Sequence, residues 1–416
     1  MLRGEFPLMN KKRIAVIGGG ASGLMAAGTA LRSGADVVIF EHMNTVGRKL
    51  SITGKGRCNV TNDCTPEDFI NNVVTNPRFL YSAANAFTPR DTMSFFEELG
   101  VPLKTERGNR VFPVSDKAAD IVSALKKYCA GGKIINEKVT GIKISGGRAC
   151  GIESRNGSYQ FDAVILATGG RSYPRTGSDG SGYKLAQAAG HTVTTLSPSL
   201  VPVVSNDSVC AEMQGLSLKN VGLKVFQDGK ECYRDFGEML FTHFGMSGPI
   251  VLSSTSHINK RKLSNVLFEI DLKPALSESA LNDRILRDFS ERKNKIFSNS
   301  LSALLPSKMI KPFIERSGIA PDKQVNSVTR EERLKLVSLF KKFTVPVSGF
   351  RPIDEAIITS GGIDVKEIDS KTMQSKLIRG LFFAGEIIDV DAYTGGFNLQ
   401  IAFSTGFLAG KNAAEY

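Results

Sequence analysis

Six positions, Gly18-x-Gly20-x-x-Gly23, constrain this chain more than any other feature. They follow Ile14-Ala-Val-Ile17, a short apolar run of the kind that fills a buried parallel strand. They open a segment, 21–33, in which Leu24, Ala27 and Leu31 fall on one helical face, and Gly34 ends it. A second apolar run, Asp36-Val-Val-Ile-Phe40, comes next, so residues 13–41 predict a βαβ unit with a right-handed crossover. In that setting Gly18 makes a tight turn, Gly20 lets backbone approach a pyrophosphate, and Gly23 brings helix close to strand. The anion then sits on the helix N-terminus. Glu41, at the end of the second strand, is placed to accept hydrogen bonds from a ribose diol, and an acid there disfavours a 2′-phosphate. The expected ligand is a dinucleotide with an unphosphorylated adenosine; the fingerprint alone leaves FAD and NAD both open.

The chain of 416 residues predicts two or three folding units, and 41% hydrophobic with 23% charged residues excludes intrinsic disorder. A net charge of +12 suits an anionic ligand, a nucleic acid or an acidic membrane surface. The uncharged stretch 14–31 has the length of a membrane span, but its clustered glycines argue for strand, turn and helix instead. Residues 1–12 are basic without an apolar core or cleavage site, so no secretory signal is expected, and Met9 is an alternative start. Cys58, Cys64, Cys129, Cys150, Cys210 and Cys232 form no CxxC pair, which predicts reduced thiols in a cytoplasm. His42, His191, His243 and His257 show no metal-ligand spacing, so no metal site is expected.

Further along, Pro89 opens a helix to Leu99, and Ser115 is expected to cap another over 116–130. Strands are expected over 133–137, 139–144 and 151–153, and the apolar run 161–166 leads into Ala167-Thr-Gly-Gly170. From about Leu196 the texture changes to short β-like pieces, among them 200–204, 223–227 and 266–270. Helix-patterned segments over 280–293, 308–315 and 330–340 follow, with Pro306, Pro312 and Pro321 read as breaks. The last seventy residues return to the first texture, with an apolar strand ending in Gly385-Glu386 and a helix over 398–414. One nucleotide-binding domain interrupted by an insert accounts for this order.

The Gly-rich, basic segment 47–62 carries Arg48, Lys49, Lys55 and Arg57, able to meet a diphosphate or an acidic substrate. Flavoproteins use such a loop after the ribose acid to reach along their cofactor. Taken with Val16-Ile-Gly-Gly-Gly-Ala-Ser-Gly23, the runs TGKGRCNVTN (53–62), FTHFGMSGP (241–249) and FAGEIIDVDAYTGGFNLQ (383–400) make the chain resemble the bacterial flavoproteins of the BaiN/RdsA type, also labelled aminoacetone-oxidase-like. The resemblance spans nearly the whole chain. It implies an α/β fold: a Rossmann-like FAD-binding domain with a parallel sheet, 12–196 and 346–416, interrupted at 197–345 by a β-barrel-like part and a helical part at about 275–342.

The resemblance further implies that Gly18, Gly20, Ala21, Ser22 and Gly23 hold the pyrophosphate, Glu41 the adenosine ribose, and Arg48 and Lys49 the neighbouring phosphate and ribityl region. Val139 would meet the adenine through its backbone. Thr168 and Gly169 would pack beside the cofactor, and Gly385 with Glu386 would make a second ribityl and pyrophosphate contact. Asn398, Leu399, Gln400 and Ile401 begin the last helix, whose N-terminus would face the flavin pyrimidine edge and favour the anionic reduced N1.

The substrate side is thinner. His243 lies in a family-specific run and has the chemistry of a general acid or base. Cys58 is a thiol candidate without a partner at disulfide-reductase spacing, and Arg171, Tyr173 and Arg175 could meet an anionic substrate. No second GxGxxG follows a strand, so NAD(P)H would reach the flavin as a transient visitor or through the insert. The sequence thus predicts a cytoplasmic FAD-dependent oxidoreductase, NAD(P)H-linked, acting on a small molecule rather than a nucleic acid. The alternatives are an RNA-associated flavoprotein resembling tRNA-modifying enzymes and a flavin-binding regulator without turnover. Oligomeric state and substrate are not legible.

Overall fold

A computed structural model describes residues 11–258, 265–292 and 294–416. Met9 and the final residue of the helix expected over 280–293 lie outside the described residues. The chain divides into two units, one made of residues 11–198 with 356–416 and the other of 199–355.

The first unit is built on β1 (Arg13–Ile17), α1 (Ala21–Arg32), β2 (Asp36–Phe40), α2 (Arg48–Ile52), α3 (Ala118–Tyr128), β3 (Lys133–Ile135), β4 (Ala163–Leu166), α4 (Ser181–Ala188), β5 (Leu381–Phe383) and α5 (Phe397–Glu415). Its five-stranded parallel sheet has the order β5-β4-β1-β2-β3, with Ile14 opposite both Val37 and Ala163. Ile14, Ala15 and Val16 are fully buried, as an apolar strand covered on both faces must be. Where sequence placed Ser115 as a helix cap, the helix starts at Ala118. Asp116 takes a left-handed conformation, φ 56°, and its carboxylate accepts from Lys104 and Arg57. Ser115 donates to Asp120 instead.

Helices α1 and α5 approach so closely that backbone faces backbone. A Cβ on Gly406 would lie 2.5 Å from the Ser22 carbonyl oxygen, and one on Gly410 would lie 2.3 Å from that of Ala26. Both contacts advance by one turn together, so the two helices run parallel. Only glycine permits this approach.

The second unit contains a seven-stranded antiparallel sheet in the order Phe343–Val347, Val266–Asp271, Ser217–Gln227, Lys230–Thr242, Gly245–Ser247, Val203–Val204, Gly349–Phe350. Its two edge strands are consecutive in sequence, separated by Ser348 alone, whose N–H donates to the Val204 carbonyl at 2.9 Å. The sheet therefore curls until its edges meet, a barrel-like closure that removes free edges. Because 343–350 supply both edges, the chain leaves this unit at 355 rather than near 345. Helices Glu278–Glu291, Ser307–Ser317 and Arg330–Lys341 bury Leu281, Ile285, Met309, Phe313 and Phe340 in the unit's core. Pro312 lies inside the second of these helices rather than breaking it, on the same buried face as Met309 and Phe313.

His191 is a structural histidine of the first unit. Its ring is buried against Phe383, with Nδ1 3.1 Å from Glu367 and Nε2 2.8 Å from the Ser375 hydroxyl. That hydroxyl already accepts from the N–H groups of Leu377 and Ile378, so its proton points at Nε2 and the ring's own proton sits on Nδ1. Burial pushes the pKa of His191 below its ordinary value, outweighing Glu367.

Two outcomes follow. Gly410→Ala gains about 1 kcal/mol of helix propensity yet loses about 1–3 kcal/mol to overpacking, so urea unfolding followed by circular dichroism gives a net destabilised protein. The unfolded chain takes up the His191 proton before the folded one does, so the stability it supports is complete above about pH 6.5 and falls as pH drops below that. His191→Gln flattens this part of the pH–stability curve, whose slope for one proton is at most about 1.4 kcal/mol per pH unit; an unchanged slope contradicts the assignment.

Candidate functional site

The strand-to-helix turn after β1 forms a cradle of backbone donors. Gly18, at φ +104°, donates to Phe40 O at 2.8 Å, and a Cβ there would lie 2.5 Å from Ala167 O. Gly19 N–H donates to Glu41 Oε2 at 2.8 Å, while Leu24 N–H donates to Gly20 O and starts the helical ladder. Between them the N–H groups of Gly20, Ala21, Ser22 and Gly23 have no acceptor among the described residues, and no side chain caps α1. A Cβ placed on Gly20 meets nothing within 4 Å, so the chain is open on that side. Glu41 also accepts from Met43 N–H at 2.8 Å. Each of its oxygens accepts one backbone hydrogen bond and keeps acceptor capacity, with His42 Nδ1 3.5 Å from Oε1.

The Ala167 to Gly170 turn stands against Gly18, and Gly385 stands against Ser22. The Ala167 to Gly170 turn holds Thr168, whose buried Oγ1 has no hydrogen-bond partner. Ser178 Oγ, the same in this respect, lies 3.2 Å from where a Cβ on Gly169 would stand. Lys49 and Glu386 bind each other: the ammonium donates to Glu386 Oε2 at 2.6 Å and to Ser172 Oγ at 2.7 Å. Glu386 Oε1 accepts from Thr359 N–H at 2.9 Å and from Ser172 at 3.1 Å. Gly385 N–H donates to Thr405. Val139 begins the strand Val139–Ser145, buried, beside Lys138, which pairs with Asp179 at 2.7 Å. Arg48 is exposed on α2.

The start of α5 differs from expectation in detail. Asn398 clasps the preceding chain, accepting from Ala392 N–H and donating to Ala392 O and Tyr393 O. Gln400 is fully buried; it accepts from Thr61 and Thr92, donates to Phe87 O and Ser404, and its N–H already bonds Gly396 O. Ile401 packs into the core. Gln400 and Ile401 therefore hold the helix in place through buried contacts. Helical geometry leaves Phe397, Asn398 and Leu399 without intrahelical acceptors for their N–H groups, and the N-cap, Gly396, has no side chain to supply one.

Three further expectations change. Arg57 is spent on Glu106 and Asp116 and lies over the Phe112 ring, so it is not available to a diphosphate. Cys58 is fully buried, and burial pushes its thiol up to about 12, which keeps it protonated and unreactive at neutral pH. His243 belongs to the second unit, exposed in the turn after Lys230–Thr242 and edge-on to Phe244, and among the described residues no hydrogen-bonded partner orients it as an acid or base. Sequence reasoning missed Ser172, Thr359, Thr61 and Thr92, since Ser172, Thr61 and Thr92 act through partners more than two hundred residues away and the Thr359 hydroxyl accepts from residues almost as far off.

The fold and this cradle define an FAD-binding oxidoreductase of the Rossmann type. The chain belongs to the family described as "HI0933-like protein Rossmann domain", which matches residues 12–412. A 3-dehydro-bile acid delta(4,6)-reductase of Clostridium scindens is 31% identical over 412 residues, covering 97% of this chain and 99% of that protein. A ribosomal RNA dihydrouridine synthase of Haemophilus influenzae is 30% identical over 414 residues, covering 94% and 96%. Among solved structures, 3-ketosteroid-delta4-(5alpha)-dehydrogenase from Rhodococcus jostii RHA1, in complex with 4-androstene-3,17-dione, matches with a TM-score of 0.53 at 16% identity over 99% of each chain; this likeness is one of fold.

The residues present fit FAD: four N–H groups at a helix start with no acceptor among the described residues, and an acid beside them that keeps acceptor capacity. Gly20 takes φ −81°, open to any residue. Gly20→Ala should therefore leave the unfolding free energy of the FAD-free protein within about 0.5 kcal/mol, yet weaken FAD binding at least about tenfold, since a tenfold loss is only about 1.4 kcal/mol. Flavin fluorescence titration checks this; unchanged FAD affinity contradicts the cradle.

Proposed function

We propose that this chain is an FAD-dependent reductase that adds hydrogen across a carbon–carbon double bond conjugated to a carbonyl, with NAD(P)H as a transient donor. The cradle of unspent N–H groups at Gly20 to Gly23 is the observation that carries the flavin part. In this reading those groups hold the pyrophosphate, with Gly18 turning the chain, and Glu41 accepts from the ribose. Val139 lies at the adenine, and Thr168, Gly169, Gly385 and the Lys49–Glu386 pair line the ribityl region, with Arg48 at the phosphate. The N–H groups of Asn398 and Leu399 face the pyrimidine edge, where the positive helix end favours an anionic reduced ring. Bound FAD supplies two-electron hydride chemistry, with NAD(P)H leaving as NAD(P)+, the hydride ending on one carbon of the double bond and a solvent proton on the other.

The substrate part rests on the operation that two relatives' names share. A delta(4,6)-reductase of a 3-dehydro bile acid and a synthase of dihydrouridine both saturate a double bond in conjugation with a carbonyl. A small-molecule enone is the first reading. The second keeps the chemistry and changes the carrier to uridine within RNA, favoured by the net charge of +12 and by the relative named for ribosomal RNA. That relative speaks against setting nucleic acid aside. Among the described residues no helix is long and apolar enough to cross a membrane, and all six cysteines are free, which supports a reducing, cytoplasmic setting.

Purified protein should be yellow and bleach anaerobically with NADH or NADPH. The reduced flavin should then reoxidise when a 3-oxo-Δ4 steroid or a ribosomal RNA transcript is added. Colourless protein that takes up no FAD sinks the flavin reading; reduced flavin that neither substrate reoxidises sinks the double-bond reading.

A further inference from the structure

Beside the cradle, the first unit carries a second concavity. It is a cleft of about 480 Å³ bounded by α4 and the chain that follows it. Val193 and Leu196, half-buried, give it an apolar floor, and the buried Tyr183 forms a wall, its hydroxyl donating to Glu386 O at 3.4 Å. Arg171, Lys184 and Gln187 stand exposed on the rim.

The charges do not cancel. Asp179 lines the cleft but is committed elsewhere, accepting from Lys138 Nζ at 2.7 Å and from Ser181 N–H at 2.9 Å. Burial works against its charge, yet these bonds hold its pKa at about 2, so it stays ionised and paired with Lys138. The side chains of Arg171 and Lys184 make no hydrogen bond or ion pair with another described residue. Two unpaired cations over an apolar floor select a ligand that combines anionic oxygens with a flat ring. A nucleotide has both, and guanidinium and ammonium groups lining one cleft both pair with phosphate oxygens.

The cleft is also wired to the cradle side. Arg171 follows the Ala167 to Gly170 turn directly, and its N–H donates to Thr359 Oγ1, whose own N–H bonds Glu386. Tyr183 reaches the same Glu386 from the cleft wall. An occupant is thus one side chain from the turn assigned to the ribityl region.

We propose that this cleft docks the phosphates of a pyridine dinucleotide, Arg171 and Lys184 pairing with phosphate oxygens and Val193 with Leu196 carrying a ring. The proposal rests on the reading of this chain as an NAD(P)H-driven flavoenzyme. It supplies what the absence of a second GxGxxG leaves open, a place for the donor without a second Rossmann site.

The test uses the full-length, FAD-loaded protein, its Arg171→Glu/Lys184→Glu double variant, and anaerobic stopped-flow bleaching with NADH and with NADPH. The variant should keep its visible spectrum, its photoreduction and its limiting bleaching rate. Its half-saturating nucleotide concentration should rise at least tenfold and lose most of its salt dependence. An equal effect on both nucleotides assigns the cations to the diphosphate, and an effect confined to NADPH assigns them to the 2′-phosphate; both support docking. Half-saturation within twofold of the parent protein overturns the cleft while leaving the flavoenzyme reading intact. A parent protein that is yellow but bleached by neither nucleotide removes the donor reading, and the cleft with it. Should charge reversal unfold the protein, Arg171→Gln/Lys184→Gln and the floor-filling Val193→Trp carry the same comparison.

Discussion

The half-buried carboxylate of Glu386 is the interaction on which the first unit closes. A charge removed from water must be paired and hydrogen-bonded or it costs several kcal/mol. Glu386 finds its partners on three segments remote from it and from one another: Lys49 from α2, Ser172 from the chain after β4, and the Thr359 N–H from the return of the chain out of the insert. Thr359 in turn accepts from the N–H groups of Arg171 and Ser172 through its hydroxyl. One carboxylate thereby fixes where the basic helix, the ATG turn and the C-terminal part stand relative to each other. Lys49 is doubly constrained, because loss of its ammonium leaves the carboxylate short of a charge partner as well as a donor.

A second lock joins the two segments that look most specific in the sequence. Asn62, at the end of TGKGRCNVTN, donates to Gly395 O, and Thr61 donates to Gln400, both in the TGGFNLQ segment. Gln400 uses its remaining capacity on Thr92, Phe87 and Ser404, so a single buried amide is satisfied by four partners. Residues as characteristic as these invite a reading as ligand contacts. Here they are the hydrogen-bonded frame that holds the start of α5, and in the proposed reading the work toward a ligand falls to backbone N–H groups that any sequence possesses.

This divides what was legible from what was not. The strand, turn and helix of residues 13–41 could be read because the apolar periods and glycine positions that encode them are local. The change of texture near residue 197 likewise announced an insert. The return near 355 was hidden because 343–350 look like any β segment, and only the pairing of both sheet edges with consecutive residues assigns them to the barrel-like unit. Arg57 read as a diphosphate ligand because it sits in a basic glycine-rich loop; Glu106 and Asp116, which claim it, are some fifty residues away. Cys58 read as reactive because its burial is a tertiary fact. In each case the missing information was a long-range partner, which propensity and spacing do not carry.

The parallel packing of α1 and α5 gives the site its scale. Gly406 faces Ser22 at the start of α1, while α5 itself begins at Phe397, nine residues earlier. Ser22 is itself one residue into α1, so at 1.5 Å per residue the N-terminus of α5 stands about 12 Å beyond that of α1 along their common direction. Both ends are uncapped by side chains and carry partial positive charge of the same sense. In the proposed reading the first end receives a pyrophosphate and the second the electron-rich edge of a reduced flavin, with the ribityl chain of FAD bridging the gap. The close approach at Gly406 and Gly410 then does more than pack a core. It sets the offset between the two positive poles, and a larger residue at either position would shift both the helix and the end that tunes the cofactor.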